Sequence, residues 1–89
     1  MKYSCVYTFT ASHKNSVNTL AFSLDGKFLA SGDEDGVLVI FNTKNGSQCG
    51  GATFPAPITS LIWALDGTII FVGMVDGSIQ QFLPVWHSL

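Results

Sequence analysis

Apolar positions in this chain fall into short runs broken by tight turns. Val17-Asn18-Thr19-Leu20-Ala21-Phe22 is β-rich and partly alternating, and Ser23-Leu24-Asp25-Gly26-Lys27 follows it with Asp-Gly as a turn signal. Phe28-Leu29-Ala30-Ser31-Gly32 reads as a second strand, Asp33-Glu34-Asp35-Gly36 as a second turn, and Val37-Leu38-Val39-Ile40-Phe41 as a third strand. Asp-Gly marks hairpins because glycine accepts positive φ and aspartate tolerates it. Two more strands are expected, at 5–10 before this block and at 48–53 after it, where Asn45-Gly46 makes the turn. No stretch of useful length shows a helical period.

The block then recurs. Residues 17–41 align without a gap on 58–82 at a constant offset of 41, and eight of the 25 pairs are identical, among them both Asp-Gly pairs of each copy. Seven of the other 17 pairs exchange one apolar residue for another, such as Phe22 for Trp63 and Leu38 for Ile79. A gap-free period of this length marks a modular array. Each unit is expected to be an antiparallel four-stranded meander. Runs such as Val37 to Phe41 suit strands buried on both faces, which a lone meander cannot provide and stacked sheets can. The predicted fold is therefore all-β, with blades of a β-propeller: one full blade and one incomplete. The expected divisions are an N-terminal strand in 1–12, a first repeat in 13–54 and a second, degenerate repeat in 55–89.

Composition narrows the function classes. The chain has 89 residues, 47% hydrophobic and only 11% charged, too apolar for a disordered tail. Four lysines, no arginine and a net charge of −2 leave too little to build a basic patch, which argues against nucleic acid and anionic membranes. Cys5 and Cys49 lack metal-ligand spacing, and two buried reduced thiols are expected rather than a disulfide. The N-terminus shows no signal-peptide pattern, so an intracellular setting, cytoplasmic or nuclear, is expected.

The segment from His13 through Val17-Asn18-Thr19-Leu20-Ala21-Phe22-Ser23-Leu24-Asp25-Gly26 to Ile40-Phe41-Asn42 resembles the WD-repeat family, and the resemblance extends over about residues 5–82. It implies a propeller, closed in this family by about seven blades, each tied by a structural network of His, Ser or Thr, Asp and Trp. By position, the network would use His13, Ser31 and Asp35, with Phe41 at the Trp position, where the bonds would stop because a phenyl ring has no N–H. Ser12 replaces the usual Gly before the His, and Asn42 the closing Asp. In the second copy Ala56-Pro57 stands before the first strand, Val72 replaces the Ser and only Asp76 remains, to be satisfied by local backbone N–H groups. That copy is expected to rely on apolar packing alone and to be the less rigid.

The resemblance also implies that partners bind at loops before the first strand and between the second and third. Here those are Lys14, Asn15 and Ser16 with Asp33 and Glu34, and Pro57 with Met74 and Val75. Met74 has two open readings, an apolar docking residue or a residue packed on the adjacent blade. Other features carry less. No nucleophile or carboxylate pair clusters with His13 in sequence, and Ser31 is not in a nucleophile elbow. The Asp33-Glu34-Asp35 run lacks the ligand alternation of a calcium loop, and Gly50-Gly51 lacks the Lys-Ser/Thr of a phosphate loop. Trp63 is expected in the core, and Trp86 and His87 in a terminal tail.

The expected function is that of a non-catalytic scaffold presenting loops to a protein or peptide, with no cofactor, metal or catalytic residue. The alternative is a truncated fragment of a longer propeller with no independent function. Two blades cannot close a ring, which leaves three arrangements: a piece of a longer chain, which is favoured, self-assembly of several copies, or an open wedge.

Overall fold

The computed structural model describes residues 13–64 and 67–84. The expected strand at 5–10, Cys5 with it, the rest of the 1–12 unit, Trp86 and His87 lie outside the described residues. Seven strands follow one another: β1 (Val17–Phe22), β2 (Phe28–Asp33), β3 (Val37–Asn42), β4 (Gln48–Thr53), β5 (Ile58–Ala64), β6 (Ile69–Met74) and β7 (Ile79–Phe82). They form two antiparallel sheets in sequence order, β1-β2-β3-β4 and β5-β6-β7. The chain is therefore all-β over these strands, one complete four-stranded blade followed by a three-stranded one. The turn glycines Gly26, Gly36, Gly67 and Gly77 all have positive φ, the backbone that Asp-Gly pairs signal.

The repeat is visible in the irregularities as well as the strands. β1 carries a bulge between Val17 and Thr19, and β5 carries one between Ile58 and Ser60, the positions 41 residues later. A bulge turns one residue out of the ladder and re-aims its side chain. In β1 that residue is Asn18, whose Nδ2 donates to Glu34 Oε2 at 2.7 Å and to the Ile58 carbonyl of the other sheet at 3.2 Å. A third bulge lies in the β3–β4 pairing, where Ile40 faces Gly50 and Phe41 faces Gln48. It leaves Cys49 unopposed. Cys49 is accordingly exposed and free, not the buried thiol expected from its place in a stretch that reads as a strand.

The core lies between the sheets. Ala30, Leu38 and Ile40 from the first sheet pack with Leu61, Trp63, Ile70 and Val72 from the second, and Phe54 and Met74 close one end. A second cluster, Leu29, Val39 and Phe41, occupies the opposite face of the first sheet. The central strands are thus buried on both sides, as their unbroken apolar runs require. Trp63 is the main anchor. Its ring stacks with Phe28 at a 6.3 Å centroid separation, and its Nε1 donates to the Ala21 carbonyl at 2.8 Å. The second sheet is therefore held by polar bonds from Trp63 and Asn18 as well as by apolar packing, which corrects the expectation of apolar packing alone. Close approach depends on Gly32: a β-carbon there would lie 2.9 Å from Ile58 Cβ.

The connection from β4 to β5 runs over the β2–β3 turn. The Phe54 N–H donates to the Gly36 carbonyl at 2.8 Å, and a side chain at Gly36 would collide with the carbonyl oxygens of Phe54 and Ala56. Gly36→Ala adds that collision to the cost of its φ of +82°, whereas Gly26→Ala at φ +75° has open space around it. Chemical denaturation of the two variants is expected to show a loss of about 1–2 kcal/mol for Gly26→Ala and about 3 kcal/mol or more for Gly36→Ala. Equal losses would mean that the linker does not cross this turn. Trp63→Phe keeps the ring but removes the bond to Ala21, with an expected cost of about 1–2 kcal/mol in the same assay.

Candidate functional site

Strand alternation puts Ser31 and Asp33 on one face of β2, two residues apart. His13, in the segment entering β1, reaches both. Its Nδ1 lies 2.7 Å from Asp33 Oδ2 and its Nε2 2.5 Å from Ser31 Oγ. An ionised carboxylate only accepts, so Nδ1 carries the proton that it donates to Asp33, and Nε2 shares a hydrogen bond with the Ser31 hydroxyl. The other carboxylate oxygen, Asp33 Oδ1, accepts from the backbone N–H groups of Asp35 and Val37, each at 2.9 Å. Asp33 is fully buried. Burial pushes its carboxyl up, but the bonds from His13, Val37 and Asp35 outweigh it and hold the group below the usual carboxylate range.

Two expectations are corrected here. Asp35, placed in the network by position, stands in the exposed turn, where its Oδ1 accepts from Asn15 Nδ2 at 3.2 Å. Asp33, placed on the exposed loop, is the buried partner. The period of two counted from Ser31 is the sequence signal that singles out Asp33. A Ser and an Asp do gather around His13 in space, although none is its neighbour in sequence. The arrangement has the order of a hydrolytic triad, but Ser31 is buried on a central strand, and that strand's backbone is engaged in ladders with β1 and β3 on either side. Strand N–H groups committed to those ladders are not free to receive an oxyanion.

The second sheet fills the same three slots with apolar groups. Adding 41 to His13, Ser31 and Asp33 gives Phe54, Val72 and Met74, all in the central core. Met74 is buried, so of its two readings the structure shows packing, and it does not contribute to an exposed loop surface. Asp76 remains in its turn, where Oδ1 accepts from the Ser78 N–H at 2.9 Å and the Ser78 hydroxyl at 2.6 Å. Those bonds hold its carboxyl below the ordinary value, the hydroxyl contributing most.

The loop end is built by one backbone bond used twice. The Glu34 N–H donates to the Ser16 carbonyl at 3.1 Å, and the Val75 N–H donates to the Pro57 carbonyl at 2.9 Å, both partners being displaced by 41. Each bond ties the segment before a sheet's first strand to the hairpin between its second and third. Lys14, Asn15, Ser16, Glu34, Asp35 and Val75 are exposed there, with Pro57 half-buried. Asn18 joins the two halves through Glu34 and the Ile58 carbonyl. Sequence reading missed Asn18 because nothing local announces the bulge that turns it. Among the described residues no group of three or more His, Cys, Asp or Glu side chains is arranged to hold a metal ion.

Asp33 carries a pH signature. A carboxyl whose folded value is depressed stabilises the fold above its unfolded value near 4, and that contribution is lost as pH falls through the folded value. Asp33→Asn is expected to cost about 2 kcal/mol at pH 7, with the gap to the unsubstituted chain narrowing as pH falls below about 4. Asp35→Asn is expected to change stability by less than about 0.5 kcal/mol. Denaturation curves at several pH values check both, and the reverse ranking would place the network on Asp35.

The comparisons with known proteins agree with this architecture. The chain is 31% identical over 84 residues to the guanine nucleotide-binding protein subunit beta of Nicotiana tabacum, covering 86% of the chain and 21% of that protein. It is 36% identical over 75 residues to the periodic tryptophan protein 2 homolog of Dictyostelium discoideum, covering 79% of the chain and 8% of that protein. It is 35% identical over 75 residues to autophagy-related protein 18 of Kluyveromyces lactis, covering 80% and 15%. The chain thus spans about a fifth or less of the length of these relatives. Among solved structures, the Cps50 (Swd1) β-propeller domain of Myceliophteria thermophila superposes with a TM-score of 0.71 at 21% identity, over 85% of this chain and 24% of that one. The computationally designed Ika4 protein gives the same TM-score at 22% identity, over 82% and 44%. At these identities the likeness is one of fold. The family model for the WD domain, G-beta repeat, matches residues 3–42 and 49–82, and with two stacked antiparallel sheets repeating at that period the chain belongs to the WD-repeat family.

Proposed function

We propose that this chain is part of a β-propeller that serves as a non-catalytic platform, presenting the loop end of its blades to a protein or peptide partner. The observation that carries this reading is the pair of equivalent backbone bonds, Glu34 to Ser16 and Val75 to Pro57. They hold both loop pairs at one end of the sheets while leaving the side chains free to differ. The surface offered is acidic at Glu34 and Asp35 and apolar at Val75, suited to a partner with a basic group beside an apolar one. The burial of Ser31 supports a platform that performs no chemistry of its own. The scarcity of lysine and the lack of arginine support a protein partner over nucleic acid or a membrane. An intracellular setting goes with the sparse cysteines and the free thiol of Cys49.

The test is a loop substitution in the full natural chain. Glu34→Lys with Val75→Asp changes the character of both loops at exposed positions. Affinity purification compared by mass spectrometry is expected to show one or more partners lost by about 10-fold or more, with stability lowered by no more than about 1 kcal/mol through loss of the Asn18–Glu34 bond. An unaltered set of partners would overturn the reading.

A further inference from the structure

The chain has four asparagines, Asn15, Asn18, Asn42 and Asn45, and only Asn45 precedes a glycine. With no β-carbon, glycine leaves its own nitrogen unshielded. Asn45 is exposed in the turn between β3 and β4, at the end of the sheet opposite the loops. Gly46 has a φ of +74°, and its N–H donates to the Asn42 carbonyl at 2.8 Å. The Asn42 N–H closes the turn by donating to the Ser47 carbonyl at 2.8 Å. Asn45 Oδ1 accepts twice from one residue, from the Ser47 N–H at 2.9 Å and from the Ser47 hydroxyl at 2.7 Å. The ring closed by the first of these bonds contains the Gly46 nitrogen, so the side-chain amide is held beside it. Asn42 Oδ1 accepts the same kind of bond from the Lys44 N–H at 2.8 Å. A lysine brings no hydroxyl to that oxygen, and β-branched Thr43 shields the nitrogen between.

We propose that Asn45 is a site of spontaneous deamidation, promoted by the two Ser47 donors of its own turn. Hydroxide takes the Gly46 amide proton, the Gly46 nitrogen forms a bond to Asn45 Cγ, and the negative charge passes to Oδ1. The Ser47 N–H and hydroxyl already donate to that oxygen, the placement that stabilises an oxyanion. The Cγ–Nδ2 bond then breaks, and the nitrogen leaves as ammonia with a proton from water. A second water opens the resulting five-membered succinimide at either carbonyl, giving aspartate or isoaspartate. The bond from Gly46 to the Asn42 carbonyl must open before the nitrogen can attack, which makes the reaction slow. The two products differ in consequence. Aspartate keeps an acceptor for both Ser47 donors and adds a negative charge to the turn. Isoaspartate adds a carbon to the main chain between residues 45 and 46, which disturbs the two backbone bonds that close the turn. The β3–β4 pairing starts immediately beyond, at Phe41 and Gln48, so this product loosens the sheet's outer strand. The inference concerns the end of the sheet away from the loops and stands apart from the loop-end reading.

Peptide mass spectrometry of the full natural chain, incubated folded at neutral and mildly alkaline pH, tests this. Conversion at Asn45 is expected to exceed that at Asn15, Asn18 or Asn42, to rise with pH and to yield both aspartate and isoaspartate. Ser47→Ala removes one of the two donors to Oδ1 and is expected to slow conversion about 5-fold. Ser47 is exposed, and circular dichroism verifies that the sheets persist in the variant. In denaturing urea the turn bonds are gone, and the variant and the unsubstituted chain are expected to convert at the same rate. An Asn45 that stays intact in the folded chain while the urea-unfolded chain converts would overturn the proposal, because the bond to Asn42 would then protect the site. Equal rates for the two folded chains would overturn it as well, by showing that the Ser47 hydroxyl does not promote the reaction.

Discussion

A sheet whose strands are apolar on both faces must be covered on both, and this chain meets that need by setting one sheet against another. The requirement governs features that look unrelated in the sequence. Gly32 has no side chain because Ile58 presses on its strand. Trp63 takes the slot of Phe22 and spans the gap to the Ala21 carbonyl. The linker through Phe54 must fold back over Gly36 so that β5 can begin alongside β1 and β2. One interface also leaves two faces over, so the same constraint that builds the pair of sheets defines what the pair lacks.

The slots at 13, 31 and 33 and their equivalents at 54, 72 and 74 show one mechanical problem solved twice. In the first sheet His13, Ser31 and Asp33 tie the entering segment to the end of β2 through hydrogen bonds. In the second, Phe54, Val72 and Met74 do so through apolar contact. The polar version carries the cost of burying a carboxylate, which three donors offset, and its strength depends on pH. The apolar version carries neither cost nor pH dependence. It lacks the directionality of hydrogen bonds, and there the bonds from Trp63 and Asn18 across the interface supply orientation instead.

Much of this was legible in the sequence because it repeats. The Asp-Gly turns and the strand runs follow from periodicity and turn chemistry, and the structure places seven strands accordingly among the described residues. Residues whose direction depends on register were less legible. Asp33 and Asp35 are chemically identical, and only the phase of β2 decides which is buried. Cys49 sits in a predicted strand but lies on a bulge, and its thiol is exposed. Asn18 gained its bridging role from another bulge. Met74 could be read either way until its neighbours in the core were known. In each case local composition was uninformative because the deciding quantity was a pairing between strands far apart in the chain.

The loop end obeys a different rule from the faces. Stacking faces must match in volume at every contact, which restricts their residues to a narrow apolar set. The loops are held instead by main-chain bonds, and a main-chain bond is indifferent to the side chain that accompanies it. Ser16 and Pro57 occupy the same position and share only a carbonyl oxygen as acceptor, and proline is tolerated there because no N–H is asked of it. Glu34 and Val75 likewise share only a donating N–H. Apart from the bond that the Glu34 carboxylate accepts from Asn18, the backbone places no demand on side-chain identity at these sites, so an acidic loop and an apolar loop can stand side by side on equivalent backbones. That freedom is what a recognition surface needs, and it arises from the repeat itself.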